Sequence, residues 1–313
     1  MNKTTLPQTI KVTIVGGYLG SGKTTLINHL ITQQDMSDCV FLVNDFGTFN
    51  IDAELIASQG VNTIELKNGC VCCSMANGLT IELLKIIRNS PRPKRIIIET
   101  SGVADPAKIR DLVVISKSLQ LDQVIVLADA DRIRDTVTDR LVGDTVKQQL
   151  RSADTVVLNK IDSVSKKDLP ELEQWLQQQA PQTEIICTKF ARLPTGSIFR
   201  NHSLRGKGIT TAGRAQSEPD FQAWSFQSNS PFDRTQLEQT LNTLPPSVQR
   251  VKGFVRLADD PEQAYLLQWV PGAWSLSKRD ESVAQNHSIE LNLIGSSECS
   301  KALIEEQFKM ALL

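Results

Sequence analysis

The sequence has 313 residues, a formal net charge of −1, and 40% hydrophobic residues. At about 150 residues per domain, this length allows two domains, each with an ordinary apolar core. The small net charge argues against a polyanion-binding surface, so nucleic acid is not an expected partner. No apolar run approaches the about 20 residues that a membrane span needs, so no membrane partner is expected either. The N-terminus leads almost directly into a strand without a separate cleavable apolar segment, which favours a cytoplasmic protein.

Residues 10–30 combine a strand, a glycine-rich loop and a helix. The strand is predicted by β-branched residues between positions 10 and 15, and the helix by apolar residues from position 26 onward at helical spacing. Between them, residues 17–24 read GYLGSGKT, which fits the phosphate-loop pattern G-x-x-x-x-G-K-[ST]. A chance glycine turn before a helix is the alternative. The predicted nucleotide ligands are Gly17, Gly20, Ser21, Gly22, Lys23, Thr24 and Thr25.

The residue types in this loop suit a polyphosphate. Glycines allow successive backbone N–H groups to turn toward the phosphates, and the N-terminus of the helix adds partial positive charge. Lys23 can reach the β- and γ-phosphates, and the Thr24 hydroxyl can ligate Mg²⁺. The stretch therefore predicts binding of a nucleoside triphosphate.

Apolar strands and helix-capable segments alternate through the first 190 residues. This alternation predicts an α/β fold, a P-loop NTPase with a doubly wound, mainly parallel sheet and ligands at the carboxyl ends of its strands. The predicted strands after the first are residues 39–43, 63–66, 95–99, 124–128 and 155–158, and the predicted helices include residues 79–87 and 169–176.

The composition changes near residue 193, where apolar residues become scarce. We predict a P-loop domain at 1–192, a flexible linker at 193–220 and a smaller α+β domain at 221–313. The last region is expected to hold a mainly antiparallel sheet, with Trp224, Trp269 and Trp274 as core or interface anchors. Its predicted strands are 222–228, 251–257, 265–270 and 289–294, and its predicted helices are 232–244 and 301–312.

The choice of nucleotide depends on residues 159–162, which read N-K-I-D directly after a predicted strand. The Asp162 carboxylate can accept hydrogen bonds from two donors of guanine that adenine cannot match. Asn159 can bond the other edge of the base, and the Lys160 stem can cover its face. The alternative interpretation is a helix N-cap at Asp162. The pattern favours GTP over ATP.

Three further residues are candidates for the hydrolytic reaction. Glu99 ends an apolar strand, where a carboxylate can hold Mg²⁺ through water, and Gly102 follows at a position that can sense the γ-phosphate. Asp45 follows the second strand, where a first switch segment is expected. Both carboxylates have the alternative of being solvated charges at strand ends. No histidine is placed as a general base and no transition-state arginine is identified, so slow intrinsic GTP hydrolysis is expected.

The second informative site is the cysteine cluster Cys70, Cys72 and Cys73. Three thiolates suit Zn²⁺, Cu⁺ or, less selectively, Co²⁺ and Ni²⁺. Three protein ligands leave a tetrahedral position open, as a delivery site requires. Buried packing or adventitious oxidation of the cysteines is the alternative. Three further cysteines are scattered along the chain, and together the six favour a reducing cytosol rather than a disulfide scaffold.

In order along the chain, GYLGSGKTT, VNDFG, NGCVCCS, IIIETSGVADP and LNKID resemble the CobW family of metallochaperone GTPases, which are P-loop GTPases similar to UreG and HypB. VKGFVRLA, QWVPGAW and LNLIG also resemble the appended C-terminal domain of that family. The resemblance implies a GTPase that binds Zn²⁺ or Co²⁺ at the three clustered cysteines and couples hydrolysis to delivery to a client metalloprotein. It also implies a nucleotide-dependent homodimer as one possible assembly. The nucleotide roles derived above would fall on Gly17, Lys23, Thr24, Glu99, Asn159 and Asp162.

Two departures from the family pattern matter. Asp45 stands where family members usually carry glutamate, and the shorter carboxylate can alter a contact with Mg²⁺ or the transferred metal. The predicted linker contains only His202 where many members are rich in histidine, which argues against a metal-storage role. Two rival functions remain open on the sequence alone. One is a GTP-dependent switch with a structural metal, and the other is a P-loop kinase.

Overall fold

The computed structural model describes residues 9–33, 36–43, 63–65, 74–199, 221–278 and 289–313. These residues group into two compact units, the first ending at Phe199 and the second beginning at Phe221. Within the described ranges, no helix is both long and apolar enough to cross a membrane.

The first unit is built on a parallel sheet, in which the described part of the chain supplies seven strands in the order β3-β2-β4-β1-β5-β6-β7. Every strand pair in it is parallel. The predicted α/β fold with a doubly wound parallel sheet is therefore confirmed. The strands are β1 (Ile10–Gly17), β2 (Cys39–Val43), β3 (Thr63–Glu65), β4 (Arg95–Glu99), β5 (Leu119–Asp129), β6 (Thr155–Asn159) and β7 (Glu184–Cys187).

Helices cover both faces of this sheet. On one face, the apolar side of α1 packs with the inward residues of β2 and β5 in one buried cluster. On the other face, apolar residues of α2, α3, α4, α5 and α6 form a larger cluster. Strands buried on both faces explain why β1 and β4 read as nearly continuous apolar runs. The helices are α1 (Lys23–Gln33), α2 (Ser74–Arg88), α3 (Pro106–Val114), α4 (Ile133–Thr138), α5 (Gly143–Ser152), α6 (Leu169–Gln179) and the short α7 (Thr195–Ile198).

The second unit is a five-stranded antiparallel sheet of the described residues, in the order β11-β10-β9-β12-β8, with two helices. Trp224 and Trp269 are buried in its core and Trp274 packs against it, as predicted. Its elements are β8 (Phe221–Ser228), α8 (Arg234–Thr243), β9 (Val248–Leu257), β10 (Asp260–Val270), β11 (Ala273–Lys278), β12 (Ile289–Ser296) and α9 (Lys301–Met310).

The structure differs from the sequence prediction at several elements. Strands β7 and β11 were not predicted, because the first is short and the second alternates polar residues with only two large apolar ones. Strand β5 starts five residues earlier than predicted, at Leu119. The predicted domain boundary at residue 192 also needs correction. Leu193 and Ile198 are buried in the core of the first unit, so the chain belongs to that unit through residue 199.

Candidate nucleotide site

The phosphate loop (residues 17–24) lies at the carboxyl end of β1, where α1 begins at Lys23. The Lys23 ammonium is buried inside the loop and donates hydrogen bonds to the Gly17 carbonyl at 2.9 Å and the Tyr18 carbonyl at 3.3 Å. This places the cation at the N-terminus of α1, where the helix dipole also favours an anion. Among the other predicted ligands, Gly20 and Thr25 are exposed and Ser21 is buried.

Thr24 and Glu99 meet although they are 75 positions apart. Strand β4 lies beside β1 in the sheet, with Val15 and Glu99 in register, so Glu99 ends next to the loop that follows β1. The Thr24 hydroxyl donates to the Glu99 carboxylate at 3.2 Å, and Glu99 is only 3% exposed. A hydroxyl and a carboxylate are hard oxygen ligands of the kind that Mg²⁺ prefers, so these residues fit a magnesium site.

The Asn159 side chain joins the phosphate loop to the loop that contains Ala191. Its side-chain amide donates to the Ser21 carbonyl at 2.9 Å, and its carbonyl accepts from the Ala191 backbone N–H at 2.8 Å. Gly22 makes this approach possible, since a Cβ at its φ of +106° would lie 2.5 Å from the Asn159 amide nitrogen. Sequence reasoning gave Asn159 only a contact with the base. The structure adds the role of joining two loops.

Sequence reasoning missed the loop at residues 188–192, which follows β7 and contains Ala191. Phe190 and Ala191 both have positive φ, at 54° and 53°, and Phe190 is 61% exposed. Two successive non-glycine residues in this conformation are unusual and are typical of functional loops. The sequence carries no glycine or asparagine here that would have signalled it.

Lys160 and Asp162 follow Asn159 at the end of β6. Lys160 adopts a left-handed conformation, and its ammonium forms an ion pair of 2.6 Å with Asp129 at the end of the neighbouring β5. Asp162 lies inside a short 3₁₀ turn and is exposed, so the alternative of a helix N-cap at Asp162 is wrong. The turn leaves the Asp162 carboxylate accessible to a ligand.

Gly102 lies in the loop between β4 and α3 and touches the phosphate loop. A Cβ at Gly102 would lie 2.4 Å from the Leu19 side chain and 2.9 Å from the Leu19 backbone nitrogen. Glu99, Gly102 and the phosphate loop are thus brought together at one edge of the sheet. Only glycine allows this close approach between the two loops.

A small cavity of about 20 Å³ lies beneath the phosphate loop, lined by loop residues such as Tyr18 and Ser21 and by helix residues such as Gln149. Burial raises the pKa of the Tyr18 phenol above its usual range, and the Asp139 carboxylate adds a smaller effect. Tyr18 therefore keeps its phenol proton at physiological pH and does not act as a base there.

Several predicted site residues lie outside the described residues. These are Asp45 and the clustered cysteines Cys70, Cys72 and Cys73. Within the described ranges, no group of three or more His, Cys, Asp or Glu side chains is arranged to hold a metal ion.

The cysteines that the structure does describe belong to no such group of side chains. Cys39 and Cys299 are buried. Burial raises the pKa of Cys187 to about 12, and its thiol donates to Glu173 at 3.2 Å. A thiol must lose its proton to become a good metal ligand, so Cys187 is a poor candidate.

A parallel sheet, a phosphate loop beside a paired threonine and glutamate, and an N-K-x-D turn at the same edge define the class of P-loop GTPases. Residues 11–187 match the family described as CobW/HypB/UreG, nucleotide-binding domain, and residues 221–312 match the cobalamin synthesis protein cobW C-terminal domain. The first match covers more than half of the chain. The chain belongs to the CobW/HypB/UreG family.

Similar proteins include two relatives and one solved structure. The zinc chaperone YeiR of Escherichia coli is 28% identical over 282 residues, which cover 80% of this chain and 84% of YeiR. The zinc-regulated GTPase metalloprotein activator 1 of Dictyostelium discoideum is 23% identical, over 86% of this chain and 66% of that protein. The crystal structure of Zn(II)-bound YjiA GTPase from E. coli has a TM-score of 0.49 at 20% identity, with 97% of this chain and 99% of that chain covered.

Proposed function

We propose that this protein is a GTP-hydrolysing metallochaperone, which binds a transition metal at Cys70, Cys72 and Cys73 and couples its GTP cycle to metal transfer to a client protein. The cargo we propose is Zn²⁺ or Co²⁺. The observation that carries the GTPase half is the contact of Thr24 with Glu99 beside the buried ammonium of Lys23. The family membership and the relatives named as zinc chaperones support the metal half.

Apart from the role of Asp45, the nucleotide roles in this proposal fall on residues that the structure describes. Lys23 leaves its loop carbonyls to bind the β- and γ-phosphates, and the N–H groups of the loop bind the phosphate oxygens. Thr24 and Glu99 would hold Mg²⁺, which would supply positive charge that stabilises the triphosphate during phosphoryl transfer. Asp162 reads guanine, and Lys160, fixed by Asp129, covers the base. Gly102 and Asp45 respond to the γ-phosphate, from the loop after β4 and from the segment after β2.

The described cysteines support the assignment of the metal to the clustered trio. Cys39 and Cys299 are buried, and the thiol of Cys187 is held by Glu173 with a raised pKa. We therefore assign the three thiolates that a soft or borderline ion needs to residues 70–73. Three ligands leave one position open for a ligand of the client, as transfer between proteins requires.

The deciding experiment measures metal release against nucleotide state. The full chain is loaded with one equivalent of Zn²⁺ and mixed with Mg²⁺-GTP, Mg²⁺-GDP or a non-hydrolysable GTP analogue, and the transfer of Zn²⁺ to a chromogenic chelator is followed. The proposal expects release that follows GTP hydrolysis and a loss of Zn²⁺ binding in Cys72→Ser. The matched control Cys187→Ser should bind and release Zn²⁺ like the wild type, because its thiol is protonated and bonded to Glu173.

Each other outcome rejects a named part of the proposal. Release at the same rate with every nucleotide would favour the switch with a structural metal and would reject delivery. Zn²⁺ binding that survives Cys72→Ser but is lost in Cys187→Ser would reject the cysteine assignment. A phosphorylated acceptor formed from the γ-phosphate would favour the kinase. The same samples test whether the protein forms a nucleotide-dependent homodimer. Sedimentation in the presence of the GTP analogue and of GDP compares the oligomeric state in the two nucleotide states.

A further inference from the structure

Gln149 lies on α5 and its side chain holds the loop that contains Gly102. The Gln149 amide nitrogen donates to the Gly102 carbonyl at 3.1 Å and to the Ala104 carbonyl at 2.9 Å. Gln149 is 1% exposed, so these bonds form away from water. A side-chain amide has two N–H donors, and both are used on this one loop.

The orientation of the Gln149 amide is determined by these two carbonyls. A carbonyl oxygen cannot donate, so only the nitrogen end of the amide can face Gly102 and Ala104. The oxygen end of Gln149 has no hydrogen-bond partner among the described residues. Gln149 is also one of the residues that line the cavity beneath the phosphate loop. Ser21 lines the same cavity, and its buried hydroxyl also lacks a partner within the described part of the chain.

A continuous set of contacts therefore runs from α5 to the phosphate loop. Gln149 fixes the backbone at Gly102, and Gly102 is packed against the backbone nitrogen of Leu19 with no room for a Cβ. Buried hydrogen bonds of this kind restrict a loop to one arrangement. The distance between Gly102 and the phosphate loop is thus set from the side of α5.

We propose that Gln149 is a positioning residue that holds Gly102 at the distance from the phosphate loop at which a γ-phosphate is recognised. This inference rests on the proposed function, because it assigns Gly102 to the γ-phosphate of GTP. It assigns Gln149 no contact with the nucleotide. Gln149 therefore affects the distinction between GTP and GDP more than the affinity for the shared part of the two nucleotides.

The test compares Gln149→Met with wild type. Methionine has a similar volume and lacks the two N–H donors, so the fold is kept while the carbonyls of Gly102 and Ala104 lose their partner. Dissociation constants are measured with Mg²⁺ for GDP and for a non-hydrolysable GTP analogue. We expect the affinity for the analogue to fall about tenfold and the affinity for GDP to stay within about twofold, with a matching fall in kcat. Gln149→Asn keeps the amide on a shorter stem that cannot span both carbonyls. It should also lower the affinity for the GTP analogue relative to the affinity for GDP.

The matched control is Gln123→Met. Gln123 is equally buried in the first unit, and its amide donates to two backbone carbonyls, those of Ser197 and Ile198. Gln123→Met should lower the melting temperature about as much as Gln149→Met does. It should not change the ratio of the affinities for the GTP analogue and for GDP.

The outcomes separate this inference from the function on which it rests. An unchanged affinity ratio in both Gln149 variants, or an equal fall for GDP and the analogue, would overturn the positioning role while GTP binding by the wild type still stood. Failure of the wild type to bind either guanine nucleotide would overturn the proposed function, and this inference with it.

Discussion

The carboxyl edge of the first sheet and the core of the second unit bury different kinds of side chain. At the edge, Lys23, Glu99 and Asn159 are buried although each is polar or charged. In the second unit, Phe226, Phe232 and Phe308 pack ring to ring, with centroids 5.6–6.3 Å apart.

We interpret this difference as a division between residues that serve nucleotide binding and residues that stabilise the fold. Burying a polar group is unfavourable unless it is hydrogen-bonded, and at this edge the hydrogen bonds hold the buried polar groups beside the phosphate loop. Aromatic burial is favourable in itself and stabilises the fold. Mutations at the edge should therefore change nucleotide chemistry, and mutations in the aromatic core should change the free energy of unfolding.

The largest effect on function is expected from Lys23→Met. The variant removes the cation that faces the β- and γ-phosphates, and kcat/KM for GTP should fall about a thousandfold. The free energy of unfolding should change by only about 1 kcal/mol, because the loss of hydrogen bonds such as those to the Gly17 and Tyr18 carbonyls is offset by the removal of a buried charge. Steady-state hydrolysis and thermal melting measure the two quantities. Normal GTP hydrolysis by this variant would show that Lys23 does not bind the phosphates.

The opposite behaviour is expected of Phe308→Ala in the second unit. Loss of this fully buried ring should lower the free energy of unfolding by about 3–5 kcal/mol, since it leaves a cavity between Phe226 and Phe232. Denaturant unfolding measures the change, and GTP affinity at low temperature should match the wild type. A large loss of GTP affinity in the folded variant would show that the aromatic core of the second unit also affects nucleotide binding.

A smaller effect, limited to one nucleotide, is expected from Asp162→Ala. If Asp162 binds guanine as proposed, the GTP affinity should fall about 100-fold, because two hydrogen bonds to the base are lost, while the ATP affinity should not change. Asp162 is exposed, so the free energy of unfolding should stay within about 0.5 kcal/mol of wild type. Equal losses for GTP and ATP would mean that Asp162 does not read the base.

The smallest effects come from a matched pair of helix caps. Asp105 accepts from the Ala107 N–H at the start of α3, and Asp233 accepts from the Gln236 N–H at the start of α8, both at 2.9 Å. Each substitution by alanine should lower the free energy of unfolding by about 1 kcal/mol. Only Asp105→Ala should also slow GTP hydrolysis, by a few-fold, because Asp105 anchors the loop that carries Gly102. Equal hydrolysis rates in the two variants would show that the loop tolerates the loss of its cap.

Local patterns were sufficient for much of the fold. The structure contains the elements that three local patterns predicted: the β-branched run of β1, the three successive isoleucines of β4, and the helical spacing of Leu79, Leu83 and Ile86. Strands β7 and β11 were missed because the first has only four residues and the second has only two large apolar ones, so pairing with β6 and β10 defines them more than their own pattern does. The buried residues Leu193 and Ile198 were likewise too few to reveal that the first unit continues past residue 192.

For the candidate site, the sequence by itself determined the identity of the chemical groups. The phosphate loop, Glu99 and the N-K-x-D residues are recognisable because each sits at the end of its own strand or turn. Only the tertiary structure decided how these groups hold one another. Asn159 reaches a carbonyl 138 residues away, and Gln149 reaches the Gly102 loop from a helix that no motif marks. Such contacts depend on the order of strands in the sheet, which brings β4, β1, β5 and β6 side by side and which no single stretch of sequence encodes.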